Sequence, residues 1–281
     1  MKKAKLILAA ALCAAFMNYV PQAHAFGLGD INKIASGVKD AVDVAKAFTI
    51  GDKEEMAIGN QIHEQLISEM GGAYKNKAVS DYVNNIGQKL VKNSGRANIK
   101  YTFTVVNADY VNAFAIPGGH VYVTRGILSI MDDEAQLAAV LGHEIGHVVK
   151  KHGLDKIKAA VLAEKGSKYA GQIGGALAGQ LTQVFANLAT TGYGRGQELE
   201  ADHVGVEMAN KSGYDPNGAI RLFEHLLSLE KGGSKDPLNK FFASHPDTKK
   251  RIAQVKKEIS GLSKKGTTVN AAGYKKIRQK V

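Results

Sequence analysis

The sequence predicts an α+β domain that is mainly helical and carries one small antiparallel sheet. Three observations lead there. Apolar residues recur at helical spacing along the first and last thirds of the chain. Between Tyr101 and Thr124 the period changes to two, with Pro117-Gly118-Gly119 as a turn. No internal repeat or long structureless linker divides the rest. At 281 residues, 44% hydrophobic and 22% charged, the chain is neither a disordered polymer nor a multi-span membrane protein. A single cysteine excludes an intramolecular disulfide framework and any Cys-based zinc finger.

In chain order, Lys2, Lys3 and Lys5 precede an apolar run from Leu6 to Val20, and Ala23-His24-Ala25 follows. This pattern predicts a secretory signal peptide over residues 1–25, cleaved after Ala25. The run is fifteen residues long and interrupted by Asn18, short of the roughly 20 that a spanning helix needs. The mature chain would lack cysteine, which suits an oxidising periplasm. Residues 26–52 hold a helix with Ile31, Ile34, Val38, Val42, Ala45 and Phe48 on one side. The body of the domain is expected over 53–260, with helices near 53–70 and 77–92 before the strands. The strands are Tyr101–Val106, Asn112–Ile116 and His120–Thr124, the last two a hairpin whose edge could receive an extended peptide. From Asp133 onward the pattern is helical. Within it, residues 165–196 are rich in Gly, Ala and Gln, with Gly171, Gly175 and Gly179 at four-residue spacing, suited to close helix packing or to a lid.

The chemistry is concentrated on the helix expected over Asp133–His152. An Asp at 132 or 133 can cap it, and Gly153 can end it. His143 and His147 stand four apart, hence one turn apart on the same face, where both rings can bind one Zn²⁺. Glu144, beside the first of them, can act as a general base on a water whose pKa zinc lowers towards about 7. Chance yields such an H-E-x-x-H pattern in about one chain in a hundred of this composition, so the motif carries weight. A three-histidine site would need glycine at 150 and histidine at 153, where the chain has Lys150 and Gly153, and His152 reads as a helix-end residue. The remaining ligand is sought in Glu198-Leu-Glu-Ala-Asp202. Glu198 and Asp202 share a helical face, so one can ligate while the other orients an imidazole. Glu200 points elsewhere, and Ala201 allows close approach.

The ordered series Asn112-Ala-Phe-Ala-Ile-Pro-Gly-Gly119, Val121-Tyr-Val-Thr-Arg-Gly126, His143-Glu-Ile-Gly-His147, Glu198-Leu-Glu-Ala-Asp202 and Ser244-His245-Pro246 with Arg251 resembles the M48 family of zinc metallopeptidases, of the soluble exported bacterial type. The resemblance implies a zincin-like fold and one Zn²⁺ per chain, bound by His143, His147 and Glu198. It also implies Glu144 as catalytic base and endoproteolysis of unfolded or misassembled envelope proteins. Asp202 would orient a ligand from behind. His245 is a further catalytic candidate, either filling the open metal position at rest or stabilising the oxyanion; Tyr193, Arg195 and Arg251 compete for the second task. His63, His120 and His225 show no ligand spacing. A non-hydrolytic, chaperone-like zinc protein is the alternative, and an intact Glu144 argues against it.

The formal charge of +11 divides unevenly. Residues 249–281 carry eleven Lys or Arg and one acid, whereas residues 26–248 are net −2. A nearly neutral enzyme body therefore ends in a basic tail, taken as residues 261–281. Export removes nucleic acid from the expected partners and leaves peripheral contact with anionic lipid.

Overall fold

The structure, a computed structural model, describes residues 51–156, 191–231 and 235–281. The signal segment, the helix expected before residue 51 and the spaced glycines at 171–179 lie outside the described residues. Helix α1 (Asp52–Glu69) and helix α2 (Lys77–Val91) precede the strands. Asn76 caps α2 by accepting from the Val79 N–H at 3.4 Å. Strands β1 (Thr102–Val106), β2 (Ala113–Ile116) and β3 (His120–Thr124) then form the single sheet among the described residues.

The sheet is mixed rather than wholly antiparallel. The β2–β3 hairpin is antiparallel, pairing Ala113 with Val123 and Ile116 with His120. The turn at Gly118 and Gly119, both at positive φ, sends β3 back between β2 and β1, so β3 runs parallel to β1 in the order β1-β3-β2. A Cβ on Gly118 would meet the Glu55 carbonyl at 2.9 Å, so α1 also requires glycine there. The two-residue period sorts the side chains. Phe103, Val105, Ala113, Ala115, Val121 and Val123 face α2 and the following helices, while Phe114, Ile116 and Tyr122 face Ile62 and Leu66 of α1. Helices thus cover both faces, which is why β2 and β3 are buried throughout.

Short helix α3 (Arg125–Ile130) leads to α4 (Glu134–Val149), the most enclosed helix described. Asp133 caps it by accepting from the Gln136 N–H at 2.9 Å, and the Val269 carbonyl accepts from Glu134 N–H at 3.0 Å and Ala135 N–H at 3.3 Å. The helix ends before Gly153. Lys151 adopts the left-handed conformation, at φ 58°, and turns the chain so that His152 folds back under the last turn. Arg96 fixes this end: it donates to the Val148 carbonyl at 2.7 Å and to both Glu55 oxygens, while Glu55 accepts from Gly118 N–H.

Helices α5 (Arg195–Lys211), α6 (Gly218–Lys231), α7 (Lys235–Ser244) and α8 (Thr248–Ser260) complete the body. Residues 261–281, read above as a tail, are folded onto it. Thr268 bridges to Tyr214, and in α9 (Ala271–Arg278) the buried Tyr274 donates to the Leu128 carbonyl at 2.7 Å. Tyr274 and Ile277 carry the apolar contact, which the excess of Lys and Arg masks in a composition reading.

His63 and His120 stack at 4.4 Å between α1 and the sheet. His63 Nδ1 lies 2.7 Å from Tyr122 Oη, and His120 contacts Thr102 Oγ1 at 2.8 Å and Asn60 Oδ1 at 3.0 Å. Burial lowers both imidazoles, His120 to about 4. The unfolded chain therefore takes up more protons than the folded one below about pH 6.5, and stability falls from there towards pH 4. His120 alone should account for a loss on the order of 2–3 kcal/mol by pH 4. Urea unfolding of the parent and of His120→Asn at pH 7 and pH 5 checks this: the parent should lose more stability than the variant on acidification. Equal losses would remove His120 as the source.

Candidate metal centre

The site begins with two helices that touch backbone to backbone. A Cβ on Gly146 of α4 would lie 2.8 Å from the Ala201 carbonyl of α5, and one on Gly205 of α5 would lie 2.8 Å from the His143 nitrogen. Only glycine and alanine permit this approach. It brings the His143–His147 ladder on α4 opposite the Glu198–Asp202 ladder on α5, both with one-turn spacing. All four side chains are buried, as are Glu144 and His245.

His143, His147, Glu198 and His245 converge with ligating atoms all within 4.8 Å of one another. Asp202 Oδ1 accepts from His143 Nδ1 at 2.8 Å. His147 Nδ1 lies 2.8 Å from His152 Nδ1, and His152 Nε2 lies 3.1 Å from the Glu200 carboxylate. Because the carboxylate accepts, the proton of His152 sits on Nε2, its Nδ1 accepts, and His147 must carry its own proton on Nδ1. The two Nε2 atoms face each other 3.0 Å apart and present lone pairs when both rings are neutral; against burial and Arg251, the carboxylates of Asp202 and Glu198 raise the His143 imidazole to about 9. Glu198 spans them, with 3.4 Å from Oε2 to His143 Nε2 and from Oε1 to His147 Nε2. Its Oε1 is buried without a hydrogen-bond partner. Donor atoms this close need a proton or a cation between them, and two imidazoles with an unpartnered buried carboxylate oxygen are a donor set that fits a divalent ion.

The charges behind the donors are paired. Arg251 on α8, fully enclosed, donates through Nε and Nη2 to the two Asp202 oxygens at 2.7 and 2.6 Å, and its Nη1 lies 3.1 Å from Glu198 Oε2. Burial alone would raise the Asp202 carboxyl, but the charge and hydrogen bonds of Arg251, with His143, bring it down to about 2. Glu198 is likewise held well below the usual range against its burial, by His245, Arg251 and His143. Glu144 has no such clamp. Burial raises its carboxyl, and its Oε2 has no hydrogen-bond partner.

His245 follows α7 and turns its ring nitrogens to Glu198 Oε2 at 3.0 Å and the Ala113 carbonyl at 3.3 Å, with Glu144 Oε1 3.8 Å away. Tyr193 stacks on His147 at 3.9 Å and directs its hydroxyl to the Ala115 carbonyl at 3.5 Å. The outward edge of β2 therefore meets side chains of the chain itself. A cavity of about 30 Å³, lined by Ala113, Val140, Val206, Leu222, Phe223 and Phe241, opens beside His143 and Glu144.

The structure thus brings His143, Glu144, His147, Glu198, Asp202 and His245 together. Arg195 is instead exposed and paired with Asp247 at 2.9 Å, while His63, His120 and His225 stand outside the converging group. Sequence reasoning missed the partners behind the candidate ligands: Arg251 as the clamp on Asp202, and His152 with Glu200 behind His147. Arg251 carries a faint signal, as an arginine on the apolar side of a helix with Val255 and Ile259.

Residues 77–259 match the family model described as Peptidase family M48. The chain is 30% identical to metalloprotease YcaL of Escherichia coli, over 92% of this chain and 99% of that protein. It is 34% identical to the mitochondrial metalloendopeptidase OMA1 of Schizosaccharomyces pombe, over 64% of this chain and 55% of that one. With the β-barrel assembly-enhancing protease of E. coli it shares 25% identity, over 83% of this chain and 50% of that one. It therefore spans about half the length of these last two relatives and nearly all of YcaL.

The helix contact predicts the cost of one methyl group. Gly205→Ala should destabilise the metal-free protein by about 1–3 kcal/mol, since the new Cβ meets backbone that cannot rotate away. It should also weaken metal binding by moving Glu198 off the histidines. Thermal unfolding and metal titration of the variant test both, and parental values in both would show that α5 has room to spare.

Proposed function

Because the chain belongs to peptidase family M48 and is a metalloprotease, we propose that it is a zinc-dependent endopeptidase of the cell envelope that hydrolyses unfolded or misassembled envelope proteins. In this reading His143, His147 and Glu198 hold one Zn²⁺. The observation that carries it is the convergence of two imidazole Nε2 atoms and an unpartnered Glu198 oxygen beside a second carboxylate, Glu144, that stands outside this donor set. A purely structural metal site has no use for that second carboxylate, which counts against the non-hydrolytic alternative.

Zinc at this position supplies a Lewis acid for the peptide carbonyl and lowers the pKa of a water towards about 7. The residues of the chain do the rest. Glu144 Oε2, buried and free of partners, accepts the proton of the attacking water and returns it to the leaving amine. Its raised affinity for protons, caused by burial, suits a group that must take one up and then release it. Asp202, itself held by Arg251, keeps the proton of His143 on Nδ1. His245 brings a ring N–H near Glu144 and the Ala113 carbonyl, where it either closes the resting cleft or donates to the developing oxyanion. An extended substrate would add to the β2 edge once His245 and Tyr193 give up the Ala113 and Ala115 carbonyls.

The envelope setting is supported by the signal-like N-terminus and by relatives named β-barrel assembly-enhancing protease. No helix among the described residues is long and apolar enough to cross a membrane. Residues 261–281 carry six Lys or Arg and no acid. Lys264, Lys265, Lys275, Lys276 and Lys280 are exposed on this packed segment, which supports peripheral contact with anionic lipid.

Two experiments test these proposals. With an unfolded protein as substrate, Glu144→Gln should keep its zinc and lose about 10²- to 10⁴-fold in kcat. Zinc bound without cleavage by the parent would favour the non-hydrolytic reading. His245→Ala in the same assay should raise kcat if the ring closes the resting cleft, and lower it if the ring stabilises the oxyanion. For the lipid contact, the five lysines named above changed to Gln should weaken binding to anionic vesicles, by roughly 1 kcal/mol per residue at the surface. Deleting the segment would instead remove Tyr274 from the core and the Val269 carbonyl from the first turn of α4, so charge substitution is the cleaner change. Unchanged vesicle binding would end the lipid idea.

A further inference from the structure

The two ligand histidines are supported from behind in different ways, and the difference reaches the protein surface. His143 rests on Asp202, a buried carboxylate clamped by Arg251. His147 rests on another imidazole, His152, and only through it on a carboxylate, Glu200, whose side chain is 46% exposed. Resting on the assignment of His143, His147 and Glu198 as zinc ligands, we propose that Glu200 and His152 form a positioning pair that holds His147 in its ligating tautomer, so that the metal affinity of the buried site is set in part by a carboxylate at the surface.

The geometry leaves this chain of hydrogen bonds one direction. Glu200 accepts from His152 Nε2–H at 3.1 Å, His152 Nδ1 then accepts, and His147 Nδ1–H is the donor 2.8 Å away. With the Nδ1 proton held outward, the Nε2 lone pair of His147 faces His143 and Glu198. Reversing the two protons would put N–H on the ligating nitrogen and remove the lone pair that binds metal. Hydrogen bonds behind metal-binding histidines fix tautomer and ring orientation in just this manner, and losing one typically costs about 10–100-fold in metal affinity.

Local structure is arranged to deliver His152 to this place. A continuous helix would carry residue 152 round to another face, away from residue 147. The left-handed Lys151 breaks the helix instead, and its Nζ is anchored 3.2 Å from Asp52 on α1. Lys150, one residue earlier, holds Glu200 at 2.7 Å. Two consecutive lysines thus place the two ends of the relay. Tyr193 stacks over the His147 ring and lies 5.7 Å from His152, closing the remaining side.

The test measures zinc affinity of the whole mature chain by competition with a chromophoric chelator. It is paired with circular dichroism and with the visible spectrum of the Co²⁺-loaded protein. His152→Ala should bind zinc about 10–100-fold more weakly. His152→Gln, whose amide oxygen can accept the same hydrogen bond, should recover most of that loss together with the parental Co²⁺ spectrum. Glu200→Ala should cost a smaller factor, about 3–10-fold. Glu198→Ala, by contrast, should lose the metal far more readily. If the pair acts as one unit, the double variant His152→Ala/Glu200→Ala should bind no more weakly than His152→Ala alone. Parental affinity in a folded His152→Ala protein, or additive losses in the double variant, would overturn the proposal. Should His152→Ala not fold, Glu200→Ala at its half-exposed position decides, and unchanged affinity there overturns the proposal equally. A parent that binds no zinc would bring down the ligand assignment itself, an outcome distinct from a parent that binds and variants that match it.

Discussion

The distance between α4 and α5 governs the site. Gly142 and Gly146 on one helix meet Ala201 and Gly205 on the other, and the absent side chains let backbone rest on backbone. At that separation a carboxylate on α5 reaches the imidazoles of α4 without a long, mobile side chain between them. The matching periods matter as much as the distance. Side chains four residues apart on both helices form two ladders that meet rung to rung, so His143 finds Asp202 while Glu198 spans the two imidazoles. Sheet, hairpin turn and C-terminal helix then serve to hold α4 in place, through Arg96 at one end and the Val269 carbonyl at the other.

Such a contact encloses charge, and the enclosure needs compensation. Glu144, Glu198 and Asp202 lie within one interior, with Arg251 as the buried guanidinium that answers them. Its plane also lies over the Phe223 ring, 4.6 Å from the centroid, which ties α6 into the same group. Removing one member of a buried pair typically costs about 3–5 kcal/mol because the other is left uncompensated. Arg251 is thus both a structural member and the reason Asp202 stays ionised behind His143. The polarity is graded: Asp202 and Glu198 are held ionised by their neighbours, while Glu144 is left to the effect of burial.

Much of this was written in residue spacing. Between residue 51 and β3, periodicity places the helices and strands to within a residue or two, and the i, i+4 spacing singles out the two ladders, because both signals are local. What escaped was what depends on meeting across the fold. The parallel pairing of β1 with β3 follows from where the hairpin inserts, and no feature of Thr102–Val106 announces it. Arg251, Glu55 and Arg96 look in sequence like ordinary charged residues, and only their enclosure reveals them as clamps. The contact of His152 with His147 escapes for a subtler reason. The sequence predicts a helix that runs on to it, whereas a left-handed lysine, which local propensity disfavours, turns it under its neighbour. The folded C-terminal segment was hidden by its own lysines, since two apolar anchors weigh little in a count of charge.

The carbonyl of Val269 on the first turn of α4 bears on the order in which the molecule is made. A chain that emerges N-terminus first presents His143, Glu144 and His147 long before residue 269 exists to cover the first N–H groups of their helix. Glu198, His245 and Arg251 also come later than the histidines they meet. Every element that completes the centre is thus encoded downstream of the motif itself. The hydrolytic machinery is completed only after its motif has been made, and a chain still being synthesised cannot yet possess it. For a metalloprotease this order ties activity to folding: by the time a molecule can cut, its own chain has closed around the motif.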